Sequence, residues 1–563
     1  MDHLFFLSDS GLKQAREEGS FDFVVIGSGF CTLAFADRML RHDRHSRILI
    51  IERGPFFLPE HFQNLPLPYQ QTLGGLTETY PWSLSSRTAG QGPGSISWVH
   101  GMVPFFGGRS IMWSAWCPRP TRAEMFDWPE ETILAAEKNF VDAERLLNVV
   151  PADKIDAALD SSGLTLASKR RPVYGNMQRA LQGALAKNLQ HVGTATGCFA
   201  APIAVGAGVQ EDLDFAKFST PAPLLDLVIR QAKLAGNRRG QPLSIVTNCA
   251  VSRILQQDGV ATALETSRGI FNLGGAKLVL GMGALPPATL LLNSFPHLTR
   301  AGERFTGHFI TSIVARMPKR NFPFAEELVE MELAAIYVAG RTNEMNMQYH
   351  VQLSVLSDSN PTRNAERAAR YMPDVVATAS PAQLIDSQDY LVFVCASLGE
   401  LDWRNQDSWL RTNNNSDLTT NVLLQCVAND VDAATWDAMD LATFQMLERA
   451  LSPIGPTGVE YWHGGQEAGT WQMKRPVVEQ RRAPAVVHEA SALWIGDGRA
   501  GIVRTDYRPH GVANVYITGA GLWPTAGSWN PTLTMVALAQ DLADRLNVQT
   551  DKVSPPDNDG LEL

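Results

Sequence analysis

Apolar residues gather in short, near-continuous runs toward both ends of the chain. The first, Phe21 to Ile26, stops at Gly27-Ser28-Gly29 and is followed by Leu33-Ala34-Phe35-Ala36 and on to Leu40. A second, Arg47-Ile48-Leu49-Ile50-Ile51, ends on Glu52. Runs without polar alternation suit strands covered on both faces, so the pattern predicts a β-α-β unit in a parallel sheet. Ser244-Ile245-Val246-Thr247, Lys277-Leu278-Val279-Leu280 and Val515-Tyr516-Ile517 read as further strands. The last two run into glycine turns, Gly281-Met282-Gly283-Ala284 and Gly519-Ala520-Gly521. A helix is expected from near Pro129, because Ile133, Ala136, Phe140, Ala143 and Leu147 recur at helical spacing behind a proline suited to the first turn. Another is expected from Thr532 to Leu546.

Between these ends the pattern changes. From about Pro55 to Phe106 the chain is rich in Gly, Pro and Ser with little periodicity, which marks a functional loop region. From about 311 to 480 short apolar runs alternate with polar linkers, as in Tyr349-His350-Val351-Gln352-Leu353 and Tyr390-Leu391-Val392-Phe393-Val394. This part predicts antiparallel sheet with helices. A chain of 563 residues exceeds one ordinary core and implies two or three domains.

Composition removes several classes. An apolar fraction of 45% with 19% charged residues is globular. The net charge is −10, and the basic patches Lys169-Arg170-Arg171 and Arg481-Arg482 are short. Phosphate backbones demand a concentrated positive footprint, so nucleic acid is not an expected partner. The 6 cysteines (Cys31, Cys117, Cys198, Cys249, Cys395, Cys426) are scattered without a Cys-x-x-Cys pair and read as buried thiols. Met1 to Leu7 lacks a basic n-region, and no run is long enough to span a membrane. A soluble, cytoplasmic protein is expected.

The first turn carries the earliest chemistry. A strand, a glycine turn and a helix aim free N–H groups and the positive helix end at a pyrophosphate. Gly27 permits the turn, Gly29 admits the phosphate, and Glu52 can accept both hydroxyls of a ribose while repelling a 2′-phosphate. FAD or NAD is thereby favoured over NADP. Thr32 stands where the fingerprint has a third glycine.

Three further blocks carry a family resemblance. Phe106-Gly107-Gly108-Arg109-Ser110-Ile111-Met112-Trp113-Ser114 resembles the Gly-Gly-x-Ser segment of the glucose-methanol-choline (GMC) oxidoreductases, most closely of their pyranose 2-oxidase-like members. Lys277 to Leu292 looks like the strand and turn beside FAD, with Gly283 in the turn, and Val251 sits where relatives touch the adenine half. The stretch from Asn514 to Thr525 with Asn530-Pro531-Thr532-Leu533-Thr534 is the strongest match. The resemblance implies an α/β fold: a Rossmann-like FAD domain with an interposed α+β substrate domain built on an antiparallel sheet. It places the FAD domain in 1–150, 240–310 and 481–563 and the substrate domain in 151–239 and 311–480. Cofactor contacts are expected at Gly27, Gly29, Glu52, Gly108, Ser110, Met112, Ser114, Val251, Gly283, Gly519, Ala520, Pro531 and Thr532; no metal is expected.

The family's base lies in a His-x-x-Gly-Thr motif. Gln466-Glu467-Ala468-Gly469-Thr470 keeps the Gly-Thr without a His, whereas His488-Glu489-Ala490-Ser491-Ala492 keeps the His. His488 precedes Thr505-Asp506, which resembles the family's Thr-Asp segment, and its separation from Asn530 resembles that of the two active-site residues; it is the expected base. A carbinol carbon gives up hydride as its hydroxyl proton leaves, which requires a neutral imidazole nearby. Asn530 would hold the same oxygen, a role compatible with capping the helix after Pro531, and flavin N5 would take the hydride. Met112 occupies the position of the histidine that bonds covalently to flavin in pyranose oxidases, so FAD should be non-covalent; Ser114 keeps the hydroxyl expected near N5. His308 is read as structural. Trp82, Trp98, Trp113 and Trp116 could stack on sugar or aromatic faces. The implied reaction is oxidation of an alcohol CH–OH group, of a sugar or glycoside by likeness, with oxygen or a quinone as acceptor. The alternatives are an FAD-containing lyase resembling hydroxynitrile lyases, and a dehydrogenase acting on a non-sugar alcohol.

Overall fold

The computed structural model describes residues 5–18, 20–74, 79–89, 96, 101–155, 173–206, 216–342, 345–373, 379–465, 467–498 and 500–548. Lys169, Arg170, Arg171, Trp98 and Gln466 lie outside them.

The apolar runs form one five-stranded parallel sheet, in the order Val515–Ile517, Lys277–Leu280, Phe23–Ile26, Ile48–Ile51 and Ser244–Val246. Every residue of Phe23–Ile26 and Ile48–Ile51 is buried, as unalternated strands require. Helix Phe30–His42 packs against the C-terminal helix Thr532–Val548, which also packs on helix Glu130–Leu147. In that last helix Ile133, Ala136, Phe140, Ala143 and Leu147 are all buried, the face its spacing predicts. Removing each of the larger apolar side chains from water contributes about 1.5–3 kcal/mol. Val251 opens a separate three-stranded antiparallel unit, Val251–Gln257, Val260–Thr266 and Gly269–Asn272.

The middle of the chain builds an eight-stranded antiparallel sheet. Its centre is Thr306–Pro318, Tyr390–Glu400, Gln348–Ser357 and Glu332–Arg341, with Ala195–Ala200 at one end and Glu460–Gly464 and Gly469–Gln472 at the other. Strand Arg482–Ala490 pairs with the first half of Thr306–Pro318. Both reach into the segments expected to form the FAD domain, so the two halves share these strands. Among the described residues no helix is long and apolar enough to cross a membrane.

Side chains two apart in a strand share a face. Ile310 and Ser312, Ala396 and Leu398, and Ala483, Ala485 and Val487 all line one cavity, so this face of the antiparallel sheet is its floor. The register sets His308 opposite Glu400, Ile310 opposite Leu398, and Ser312 opposite Ala396. Ala396 in turn faces Gln352, and Leu398 faces His350. Five polar side chains, His308, Ser312, His350, Gln352 and Glu400, therefore belong to the same face.

Candidate active site

The cavity has a volume of about 740 Å³, within the size range of cofactor and ligand sites. Its walls come from the glycine turns of the parallel sheet on one side and the antiparallel sheet on the other.

On the nucleotide side, Gly27 has φ +94°, and a Cβ there would lie 2.8 Å from the Gly281 carbonyl oxygen, so only glycine fits. Helix Phe30–His42 begins after Gly29 without a side-chain cap, which leaves its first N–H groups available to an anion. Thr32 fills the third-glycine position by donating its hydroxyl to the Gly27 carbonyl at 3.0 Å. The close packing survives because Gly281 supplies the room: a Cβ there would sit 2.4 Å from Thr32 Oγ1. Ser28, between the two glycines, donates to Glu52 Oε2 at 2.6 Å and accepts from the Gly107 N–H at 2.9 Å. Glu52 is thereby tied to both glycine turns. Burial pushes its carboxyl up to about 7 against the opposing pull of Ser28 and the Gly54 and Arg53 amides.

Of the sequence-predicted cofactor residues, Gly27, Gly29, Glu52, Gly108, Met112, Ser114, Val251, Gly283, Ala520, Pro531 and Thr532 line the cavity. Ser110 and Gly519 stand behind its wall. Ser110 donates to the Gly107 carbonyl at 2.7 Å and pairs with Thr220 Oγ1 at 2.9 Å, fixing the turn from within. Gly519, at φ +97°, lets its turn pack on Gly283, whose carbonyl oxygen lies 2.8 Å from where a Cβ would be. Trp82, Trp113 and Trp116 also reach the cavity.

These residues fit a dinucleotide. Added Cβ atoms at Gly29 and Gly108 would meet no protein atom nearer than 3.8 Å, and one at Gly283 nothing within 4 Å, so backbone is bared toward space. Glu52 brings a buried carboxylate to the end of the second strand, where a ribose is expected.

On the substrate side, His488 occupies a β-bulge. Thr306 pairs with Ala490 and His308 with Val487, so strand Arg482–Ala490 carries an extra residue there. The bulge holds His488 at φ +59°, a left-handed conformation uncommon outside glycine, and His488 lines the cavity. Its Nδ1 lies 2.8 Å from His308 Nδ1, and His308 Nε2 lies 2.8 Å from the Gly527 carbonyl. The Gly527 N–H donates to Glu400 Oε1 at 2.9 Å, so this residue is held through both of its backbone polar groups. Burial holds His308 down at about 4 and His350 well below the usual histidine range. It also pushes Glu400 up to about 7.

Asn530 lines the cavity immediately before the C-terminal helix. Its Oδ1 accepts from Gln352 Nε2 at 2.9 Å, so the expected capping oxygen is engaged by the sheet floor. Gln352 Nε2 also lies 3.2 Å from His350 Nε2. His308, His350, Gln352 and Glu400 were missed as site residues. The signal was available in Tyr349-His350-Val351-Gln352-Leu353, where polar residues at period two mark one face of an otherwise apolar strand.

Residues 343–539, which include Gln352, His488 and Asn530, match the family model for GMC oxidoreductase. Among solved structures the chain is similar to pyridoxine 4-oxidase from Mesorbium loti, at 15% identity and a TM-score of 0.56, covering 93% of this chain and 99% of that one. No curated protein matches the chain. The fold is that of the GMC oxidoreductases, with a parallel sheet set against a large antiparallel one. The matched segment marks the chain as an oxidoreductase acting on CH–OH donors. GMC oxidoreductases are FAD-dependent enzymes.

Proposed function

We propose that the protein binds FAD non-covalently and oxidises an alcohol, with His488 taking the hydroxyl proton and Asn530 holding the hydroxyl oxygen. The observation that carries this reading is the meeting of His488, Asn530 and the glycine turns around one cavity. FAD, when bound, accepts the hydride that leaves the carbinol carbon. Gly27, Gly29 and the uncapped helix would hold its pyrophosphate, and Glu52 its ribose. The Met112 thioether offers no nucleophile for a flavin bond, which supports loose attachment. His488 removes the proton as negative charge grows on oxygen, and the Asn530 amide stabilises that oxygen without competing for the proton.

The resemblance to pyranose oxidases supports a sugar or glycoside substrate. A second reading rests on the floor: Ile310, Ala396, Leu398, Ala485 and Val487 are apolar and would leave most sugar hydroxyls unpaired. That favours an alcohol with an apolar or aromatic body, and the structural neighbour is an oxidase of pyridoxine, an aromatic alcohol.

Anaerobic mixing with sugars, glycosides, aryl alcohols and pyridoxine, followed by flavin absorbance, tests both readings. Bleaching by at least one class is expected, lost in His488→Ala, and readmitting air separates an oxidase from a dehydrogenase. Yellow colour persisting with every alcohol while a cyanohydrin is cleaved would overturn the proposal in favour of a lyase.

A further inference from the structure

The most informative feature beyond the proposed pair is the set of polar side chains beneath it. A carbonyl oxygen only accepts hydrogen bonds, so the Gly527 carbonyl 2.8 Å from His308 Nε2 requires a proton on that nitrogen. His308 is fully buried and lies beside a second buried imidazole, His350, at a ring separation of 5.5 Å. Full burial disfavours an imidazolium at His308, and a charge there would also repel one on His350, so His308 is neutral, in line with its depressed titration. A neutral ring protonated at Nε2 has a bare Nδ1. The 2.8 Å contact between His308 Nδ1 and His488 Nδ1 then has one polarity, with His488 donating. His488, when neutral, is left with Nε2 as its basic nitrogen.

The same logic applies to the other partner. Gln352 Nε2 lies 2.9 Å from Asn530 Oδ1, an acceptor, and 3.2 Å from His350 Nε2, which also accepts when the single proton of neutral His350 is on Nδ1. The oxygen of the Asn530 amide is thereby engaged, and its nitrogen becomes the end that can donate to a ligand.

We infer that His308 and Gln352 are positioning residues that fix the hydrogen-bonding polarity of the site, through the buried chain Gly527–His308–His488 and the contact Gln352–Asn530. They make His488 an acceptor at Nε2 and Asn530 a donor at Nδ2. A substrate hydroxyl meets one group of each kind: its proton goes to the imidazole and its oxygen to the amide. The catalytic consequence rests on the alcohol-oxidation reading; the tautomer itself does not. Glu400 supports the arrangement by accepting from the Gly527 N–H, which anchors the residue whose carbonyl faces His308. Gly527 cannot be replaced by a bulkier residue, since a Cβ would lie 2.0 Å from the Trp529 ring.

The test is nitrogen-resolved NMR of the flavin-loaded protein with ¹⁵N-labelled histidine, His488 being assigned from the signal lost in His488→Gln. Wild type is expected to carry the His488 proton on Nδ1. His308→Leu removes the acceptor and should redistribute that proton toward Nε2, whereas His308→Asn can place an oxygen near the former Nδ1 and should retain it. With whichever alcohol bleaches the flavin, His308→Leu should slow reduction on the order of 10²–10⁴-fold with little change in KM, as when a catalytic imidazole is held in the wrong tautomer. His308→Asn should recover much of the loss. Gln352→Met, which no longer dictates the Asn530 orientation, should slow reduction on the order of tenfold. A wild-type His488 protonated at Nε2 would overturn the inference. So would a folded His308→Leu protein with an unchanged tautomer, or a His308→Asn protein no better than His308→Leu. The expected tautomers in a protein that no alcohol reduces would support the positioning inference and defeat the functional reading, so the two can fail separately.

Discussion

The two walls of the cavity are built by different means. The nucleotide wall is mostly backbone: Gly27, Gly29, Gly108 and Gly283 present main chain, and Glu52, Arg53 and Arg109 add charged groups. The opposite wall is a sheet face whose polar side chains, His308, His350, Gln352 and Glu400, are buried and bonded to one another or to the loop before Asn530. Backbone recognition depends on conformation, so each contributing segment is a short local turn tied to glycine. Side-chain networks depend on register, so their members come from three strands and the C-terminal loop. A change on the first wall should act on cofactor retention, and one on the second should act on rate.

Rate should show the largest effect. His488→Ala removes the base and is expected to slow flavin reduction by roughly 10²–10⁴-fold while leaving the yellow colour of the purified protein intact. Stopped-flow absorbance checks both halves of that statement. Loss of flavin together with rate would mean that the two walls are not separable. Gly27→Ala probes the other side: the strain at φ +94° and the 2.8 Å approach to Gly281 should shift the turn and weaken FAD binding at least about tenfold. The ratio of flavin to protein absorbance after gel filtration measures it. A fully loaded Gly27→Ala protein would show that the phosphate is held elsewhere.

The same contrast explains which features were legible in the sequence. Strands at Phe23–Ile26, Ile48–Ile51 and Lys277–Leu280 were legible because buried parallel strands have no polar alternation to blur them. Gly27 and Glu52 were legible because a local turn and strand end place them. His488 and Asn530 could be chosen only through likeness to a family. No local pattern marks a bulge, and the positive φ of His488 is imposed by its pairing with Thr306–Pro318. His308 was read as structural because its partner lies in a distant strand, and nothing around Gly307-His308-Phe309 reveals the register. Ser110 and Gly519, expected at the cofactor, support the turns that touch the cavity, a layer that spacing alone does not resolve.

Titration gives a smaller signature, with opposite signs at Glu52 and His308. Glu52 is raised to about 7 from 4.5, so without cofactor its contribution to stability is present below pH 4.5 and lost as pH rises through 7. His308 is lowered to about 4 from 6.5, so its contribution is present above pH 6.5 and lost as pH falls toward 4. Glu400 shares the sign of Glu52 but belongs to the substrate wall, so a difference between variants is the cleaner measure. In flavin-free protein, the melting temperature of Glu52→Gln relative to wild type should climb between pH 5 and 8, a window set by the Glu52 shift. With FAD bound the trend should vanish or reverse, because ribose hydroxyls would stabilise the ionised carboxylate. An identical slope with and without FAD would remove Glu52 from the ribose site.

The smallest effect concerns the strain at the base. A non-glycine residue in the left-handed region costs roughly 1–2 kcal/mol, and His488 sits there at φ +59°. Alanine at 488 keeps that cost, and glycine escapes it. Glycine also loses more freedom on folding, about 0.5–1 kcal/mol relative to alanine, which offsets part of the gain. Strain relief is the larger of the two, so His488→Gly should be more stable than His488→Ala by up to about 1 kcal/mol. Both variants lack the imidazole and its bond to His308, so the comparison isolates the backbone. The midpoints of urea unfolding, at equal slopes, provide the measurement. Equal midpoints would mean that the bulge relaxes once the ring is gone, and that the bond to His308, rather than the strand pairing, holds His488 in its conformation.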